Sequence, residues 1–246
     1  MGKDRRLEKL LPNGKGFFVP IDHAITSFPE KGLGNLSELL PKIYSANAII
    51  AHKGVVSHYK NQNNFIMHLS ASTIHGGNKA DNKVLTGSVI EAKKRGAIGV
   101  SAQINVGSEF ESEMIERMGE ISRQAFEQGM PLLGMVYPRG PNLKVDENDT
   151  TKGISHAVRI AFELGCDIVK VPWTGDKDSF SLVCKSAPIP VLVAGGEHKG
   201  SFEDLLILIK NAMDSGAKGV CMGRQIFAAE DSKERCEKIA QIIHKN

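Results

Sequence analysis

Aromatic residues and cysteine are scarce in this chain: among 246 residues there are one tryptophan, three tyrosines and four cysteines. Cys166, Cys184, Cys221 and Cys236 form no CxxC pair and follow no framework spacing, which excludes a zinc ribbon and a disulfide-stapled miniature domain. Two of them sit in strand-like runs, where buried free thiols are common, as expected of a reducing compartment. Long apolar runs are also missing. None approaches the ~18 residues of a membrane helix, and Met1-Gly2-Lys3-Asp4-Arg5-Arg6 leads into no signal-type stretch. Arg6 stands where a myristoylation signal would need Ser or Thr. A cytoplasmic protein without a membrane partner is expected. Nor is there a charge block: the 31 basic residues are scattered around a net charge of +3, and the longest basic run is Lys93-Lys94-Arg95. That argues against a nucleic-acid partner.

What the chain does contain is a regular alternation. Apolar strand-like runs occur at Gly16–Ile21, Ala48–His52, Phe65–Leu69, Ile98–Ile104, Leu132–Tyr137, Asp167–Val171, Pro190–Val193 and Gly219–Met222. Helical periodicity separates most of them. In Ile154–Leu164 the apolar residues Ile154, Ala157, Val158, Ala161 and Leu164 share one helix face, and the polar stretch Asp146–Thr151 offers N-caps. The joints Gly96-Ala97-Ile98-Gly99-Val100, Gly165-Cys166-Asp167-Ile168-Val169 and Gly216-Ala217-Lys218-Gly219-Val220 repeat one phrase, in which glycine suits the residue just past a helix end. The repeat of about 25–35 residues is that of a βα unit. Strands alternating with helices predict a parallel sheet. Eight units, without a GxGxxG after the first strand, predict a single (β/α)8 TIM-barrel domain over residues 1–246 of the α/β class.

Active residues of such barrels lie at the C-terminal ends of the strands. Asp22 and His23 follow the first run, His52 and Lys53 close the second, and His68 lies in the third. Asn105 follows the fourth, Tyr137-Pro138-Arg139-Gly140 closes the fifth, and Lys170 to Trp173 belong to the sixth. Gly195-Gly196 follows the seventh and Gly223-Arg224 the eighth. A strand-end Asp can merely cap a turn and a strand His can be a satisfied core residue, but convergence of so many polar groups on one rim favours a site.

Lys170 is the most unusual of them, set in Ile168-Val169-Lys170-Val171. Lysine is almost never fully buried without a partner or a use. Desolvation lowers its pKa towards a neutral, nucleophilic amine, the species that forms a Schiff base with a carbonyl; the alternative is a stem that snorkels to solvent. The ends of the seventh and eighth strands are the usual phosphate position of a barrel, and Gly195, Gly196, Gly223 and Arg224 supply amides and one guanidinium there. His23, His52 and His68, with Asp22, offer a competing metal-site reading. A Schiff-base enzyme needs a buried lysine, a proton shuttle and a carboxylate, and Lys170, Tyr137 and Asp22 are candidates for these parts.

These residues, together with Val19-Pro20-Ile21-Asp22-His23, His52-Lys53-Gly54-Val55-Val56, His68-Leu69-Ser70, Asn105-Val106-Gly107-Ser108, Thr174-Gly175-Asp176 and Gly223-Arg224-Gln225-Ile226-Phe227, resemble the archaeal-type class I aldolases. That family includes fructose-bisphosphate aldolases and 2-amino-3,7-dideoxy-D-threo-hept-6-ulosonate synthases, and the segments at Val55-Val56 and 105–108 resemble the synthases more. The resemblance implies a barrel with Lys170 as the Schiff-base lysine, Tyr137 as general acid/base and Asp22 near the reacting carbonyl. His23, His52, Trp173 and Arg139 would contact substrate, and Gly195, Gly196, Gly223 and Arg224 would hold its phosphate. It further implies no cofactor beyond the covalent imine, no metal, a phosphorylated ketose and an aldehyde as partners, and a homo-oligomer. The synthases transfer a three-carbon unit to L-aspartate semialdehyde and feed aromatic amino acid biosynthesis; a fructose-bisphosphate aldolase or a non-catalytic phosphosugar-binding barrel are the alternatives. The chain departs from the family pattern at Ala24, Gln103, Pro172-Trp173 and Glu197-His198, positions that bear on substrate choice rather than on the Lys–Tyr–Asp set.

Overall fold

The computed structural model describes residues 1–28, 31–145, 150–196 and 200–245. Eight parallel strands close a barrel: β1 (Gly16–Pro20), β2 (Ala48–Ala51), β3 (Phe65–His68), β4 (Gly99–Val106), β5 (Leu132–Pro138), β6 (Ile168–Val171), β7 (Val191–Ala194) and β8 (Gly219–Cys221). Their order around the barrel is β1-β8-β7-β6-β5-β4-β3-β2, so each strand lies beside its sequence neighbours and β8 returns to β1. All eight predicted runs are strands. β4 outlasts its predicted end because it pairs with β5 from Val100↔Leu132 to Val106↔Pro138; Asn105 therefore lies inside the strand, fully buried, rather than after it.

Period-two alternation divides the side chains into two cores. Val169 and Val171 face outward and join Val158, Phe180 and Ile209 in the layer between strands and helices. Ile168 faces inward with Phe18, Ile50, Ile66, Leu133, Met135 and Leu192. Lys170 shares the parity of Ile168, so the alternation alone places it inside the barrel. The floor is closed by the N-terminal helix Lys3–Leu10, whose Leu10 packs into the inner cluster with Leu11 just past its end. The helix Thr150–Glu163 buries Ile154, Ala157, Val158 and Ala161, as its stripe predicts; the N-cap candidates Asp146 to Asp149 lie outside the described residues. Gly96, Gly165 and Gly216 adopt φ of 96°, 81° and 105° at the repeated joints, the left-handed turn that glycine enters without a Cβ penalty.

One feature the pattern does not reveal is a two-stranded antiparallel hairpin, Ser70–Ala71 with Val84–Leu85, over the C-terminal end of β3. Two-residue strands are too short to show a period. Among the described residues no helix is long and apolar enough to cross a membrane.

Barrel closure depends on a close approach of two glycines. Gly16 of β1 pairs with Gly219 of β8, where φ is +136° and a Cβ would lie 1.7 Å from the Gly16 carbonyl oxygen. Gly219→Ala is expected to cost about 3 kcal/mol or more, from strain and displaced pairing, and to lower the melting temperature by roughly 6–12 °C. Gly119 lies inside the helix Glu111–Gln128, and a Cβ added there would meet nothing within 4 Å, so Gly119→Ala should raise stability by about 1 kcal/mol. Thermal unfolding followed by circular dichroism measures both. A Gly219→Ala protein as stable as the parent would show that the β1–β8 seam tolerates a methyl group.

Candidate active site

A cavity of about 640 Å³ opens at the C-terminal ends of the strands. It brings together every predicted site residue: Lys170, Tyr137, Asp22, His23, His52, Trp173, Arg139, Gly195, Gly196, Gly223 and Arg224 all line it. Lys170 projects into its floor, in register with Met135 of β5 and Leu192 of β7, and is only 8% exposed. Tyr137 stands two residues beyond Met135 on the same inward face. The Lys170 ammonium lies 6.0 Å from the Tyr137 ring centroid, and Cys221 of β8 lines the same cavity.

The charge state of Lys170 differs from the sequence expectation. Burial does push the ammonium down, but Cys221, Tyr137 and Asp22 outweigh it and hold the group above its ordinary value. Burial pushes the Cys221 thiol up to about 11, so near neutral pH it is uncharged and Asp22 supplies the standing negative charge. The snorkelling alternative is excluded, because the amine stays inside the barrel.

Asp22 opens the single helical turn Asp22–Ile25 after β1. Burial pushes its carboxyl up, yet His68, His23, Lys170 and His52 together draw it below its ordinary value; it stays ionised. His68 Nε2 and His23 Nδ1 lie 4.0 Å and 3.6 Å from its oxygens. His68 is nearly unexposed, and burial pushes it down to about 3, so its ring is neutral. Its Nδ1 meets Ser101 Oγ at 2.8 Å and its Nε2 meets Ser70 Oγ at 3.3 Å. His52, also lowered by burial, packs edge-on against His68 at 5.4 Å, while His23 packs against Phe227. Both His68 nitrogens are engaged by serine hydroxyls, and among the described residues no three His, Cys, Asp or Glu side chains are placed to hold an ion.

At the β7–β8 end, glycine permits close packing. A Cβ at Gly223 would lie 2.3 Å from the Pro20 carbonyl oxygen, and one at Gly195 would lie 2.6 Å from Gln225 Oε1. Gln225 Nε2 donates to the carbonyls of Gly195 and Gly196 at 3.1 and 2.9 Å, bracing the loop. Arg224 begins the short helix Arg224–Phe227. These groups suit a phosphate dianion. Glu197 and His198, with Lys199, lie outside the described residues.

The opposite wall is built from β3, β4 and β5. Arg139 stacks over the Tyr137 ring at 5.0 Å and donates from Nε to Asn105 Oδ1 at 3.0 Å; Gln103 Nε2 donates to the same oxygen at 2.7 Å. Trp173 packs against Phe180. Lys83, from the strap that follows β3, also lines this wall. It and Cys221, Gln225 and Ser70 are site residues that sequence reading misses.

His68 makes the fold acid-sensitive. Its folded-state pKa lies below the unfolded value of ~6.5, so the unfolded chain binds the extra proton, and stability falls as pH drops from about 6.5 towards 3. One such group contributes a slope of up to about 1.4 kcal/mol per pH unit. Melting temperature measured from pH 7 to pH 4 should therefore fall less steeply for His68→Asn than for the parent; equal slopes would mean that His68 is not held neutral.

Comparison with known proteins agrees with this geometry. Residues 17–229 match the DeoC/LacD family aldolase. The chain is 38% identical over its whole length to 2-amino-3,7-dideoxy-D-threo-hept-6-ulosonate synthase 1 of Archaeoglobus fulgidus, covering 92% of that protein. It is 35% identical over 93% of its length to the 2-amino-4,5-dihydroxy-6-oxo-7-(phosphonooxy)heptanoate synthase of Streptomyces griseus, covering 84% of it. An archaeal fructose-1,6-bisphosphate aldolase, solved with its catalytic lysine covalently bound to the carbinolamine intermediate, superposes with a TM-score of 0.87 at 27% identity, over 98% of this chain and 99% of that one. The barrel, its cavity and these relatives together place the chain in the DeoC/LacD family of aldolases.

Proposed function

We propose that this enzyme is a Schiff-base aldolase or transaldolase that takes a three-carbon unit from a phosphorylated ketose and adds it to L-aspartate semialdehyde, in the manner of the 2-amino-3,7-dideoxy-D-threo-hept-6-ulosonate synthases. One observation carries the reading: Lys170, buried inside the barrel beside Tyr137 and facing an ionised aspartate, in a chain whose full length aligns with such a synthase. Fructose-bisphosphate aldolase is the second reading, favoured by the superposition on the archaeal enzyme. A non-catalytic phosphosugar-binding barrel has no use for the buried lysine, whose desolvation costs stability. We take the chain to act as one barrel domain in the cytoplasm, as a homo-oligomer, and to need no metal or cofactor.

In the proposed reaction Lys170, freed of its proton, adds to the ketone carbon. The carbinolamine loses water and leaves a protonated imine. The β-hydroxyl gives up its proton and becomes the carbonyl of the departing aldehyde, while the imine draws in the electrons of the breaking Cα–Cβ bond and becomes an enamine. The enamine carbon then attacks the acceptor carbonyl, the new alkoxide takes a proton, and hydrolysis of the imine restores the ketone and the amine. Tyr137, whose ring centroid lies 6.0 Å from the nitrogen, serves as the proton shuttle. Asp22 balances the iminium charge: the field that favours the Lys170 ammonium favours the protonated imine equally. Arg224 and the amides of Gly195, Gly196 and Gly223 hold the donor phosphate, with His23 and His52 flanking it and Arg139 and Trp173 on the acceptor side.

Borohydride with dihydroxyacetone phosphate should inactivate the enzyme and add the reduced donor mass at Lys170, read by peptide mass spectrometry. Lys170→Ala should lose essentially all turnover. Tyr137→Phe should still trap donor while kcat falls about 10²–10⁴-fold, and chelator should leave turnover unchanged. An adduct elsewhere, or turnover by Lys170→Ala, ends the mechanism. Faster turnover with glyceraldehyde 3-phosphate than with L-aspartate semialdehyde would favour the fructose-bisphosphate reading.

A further inference from the structure

A second buried lysine faces the same cavity and takes no part in the steps above. Lys83 is 7% exposed, and its ammonium donates to Ser72 Oγ at 2.7 Å. Its direction is fixed from behind. Arg117 reaches across from the helix Glu111–Gln128, donating to the Lys83 carbonyl at 2.9 Å and to the Asn82 side chain, which leaves the Lys83 stem aimed at the cavity it lines. Burial and the neighbouring Arg139 both push the ammonium down; Asp81 and Asp22 oppose them. Two cations on one wall repel each other, a standing cost that a bound anion relieves.

The location of the pair has chemical meaning. Lys83 follows β3 and Arg139 follows β5, with Gln103 of β4 between them; the glycine-lined end belongs to β7 and β8, and β6 with Lys170 separates the two. An imine carbon has two substituents. If the phosphate-bearing carbon of the donor points towards β7 and β8, the carbon that forms the new bond points towards β5, β4 and β3, and the acceptor must lie there. The charge balance of that wall selects its ligand. Lys83 and Arg139 against Asp81 leave about one net positive charge, which matches a carboxylate monoanion. The wall offers an ammonium, a guanidinium and a hydroxyl, donors that can take a carboxylate, and lacks the glycines of the β7–β8 end.

We propose that Lys83, with Arg139, forms an anion subsite that binds the carboxylate of the acceptor aldehyde and so selects an acidic acceptor over a neutral one. This rests on the aldolase reading and adds to it the group that chooses the acceptor.

The test compares three acceptors with the full-length enzyme: L-aspartate semialdehyde, glyceraldehyde 3-phosphate, and propanal as an uncharged aldehyde, each with dihydroxyacetone phosphate as donor. The parent enzyme should prefer the semialdehyde over propanal in kcat/KM. In Lys83→Met that preference should fall by about tenfold to a hundredfold, the worth of one charge-assisted hydrogen bond, chiefly through the KM of the semialdehyde. Lys83→Arg, which keeps the charge, should recover part of it. Borohydride trapping of the donor at Lys170 in each variant reports an intact barrel. Failure of trapping in the parent overturns the aldolase reading itself. Trapping with no preference for the semialdehyde over propanal in the parent overturns the subsite alone, even if no variant folds. So does an equal loss on both acceptors in Lys83→Met, or a loss confined to glyceraldehyde 3-phosphate.

Discussion

The attraction between one buried cation and the groups around it organises this barrel. Desolvating an ammonium costs several kcal/mol unless something offsets it. Lys170 is held inside by strand alternation, between Met135 and Leu192, and is only 8% exposed. The fold therefore supplies Asp22 from the turn after β1, the Tyr137 phenol from β5 and the Cys221 sulfur from β8. Asp22 in turn needs its own burial offset, and His23, His52 and His68 close around it. Burial keeps His68 neutral, and Ser70 and Ser101 satisfy its ring. Each group is explained by the one before it, and the chain of dependence begins at one lysine.

This arrangement carries a cost for nucleophilicity and a gain for the proposed intermediate. An ammonium held above its ordinary pKa is a poor nucleophile, so the amine has to be released by proton transfer within the closed site. The protonated imine that follows is a permanent cation in the same place, and the field that hindered deprotonation stabilises it. The surroundings thus match the charged intermediate better than the free amine, which is where catalytic stabilisation is useful.

Much of this is visible in the sequence, and the reasons it stops are physical. The eight strands are legible because β-branched runs alternate with helices that end on glycines such as Gly96, Gly165 and Gly216, whose left-handed turns the structure requires. Lys170 is legible as the one charge within Ile168–Val171. Its charge state is not, because it depends on Cys221 and Asp22, 51 and 148 residues away in sequence. The hairpin of Ser70–Ala71 and Val84–Leu85 is too short for any period to mark it, and it hides Lys83 as well: in Asn82-Lys83-Val84 that residue reads as an ordinary surface lysine. Asn105 reads as a loop residue, yet the seven-residue β4–β5 pairing draws it into the strand. Gln225 is recognisable as part of a motif, but its work, bracing the Gly195 and Gly196 carbonyls, is a contact between loops of two strands.

The departures from the aldolase pattern fall unevenly across the described part of the cavity. Pro20, Asp22, Tyr137, Lys170, Gly195, Gly223 and Arg224 keep the family residues, and they surround the imine and the β7–β8 end. Gln103 stands on the opposite wall, where its amide shares the Asn105 oxygen with Arg139. Trp173, beside Pro172, fills the space above β6 against Phe180. A donor-binding end that varied would change every step of the reaction, since the ketose is held throughout; an acceptor wall that varies changes only what the enamine meets. A change such as Gln103, on that wall, lets a barrel keep its imine chemistry while its partner aldehyde changes. In this chain the wall is built around Arg139 and the buried ammonium of Lys83.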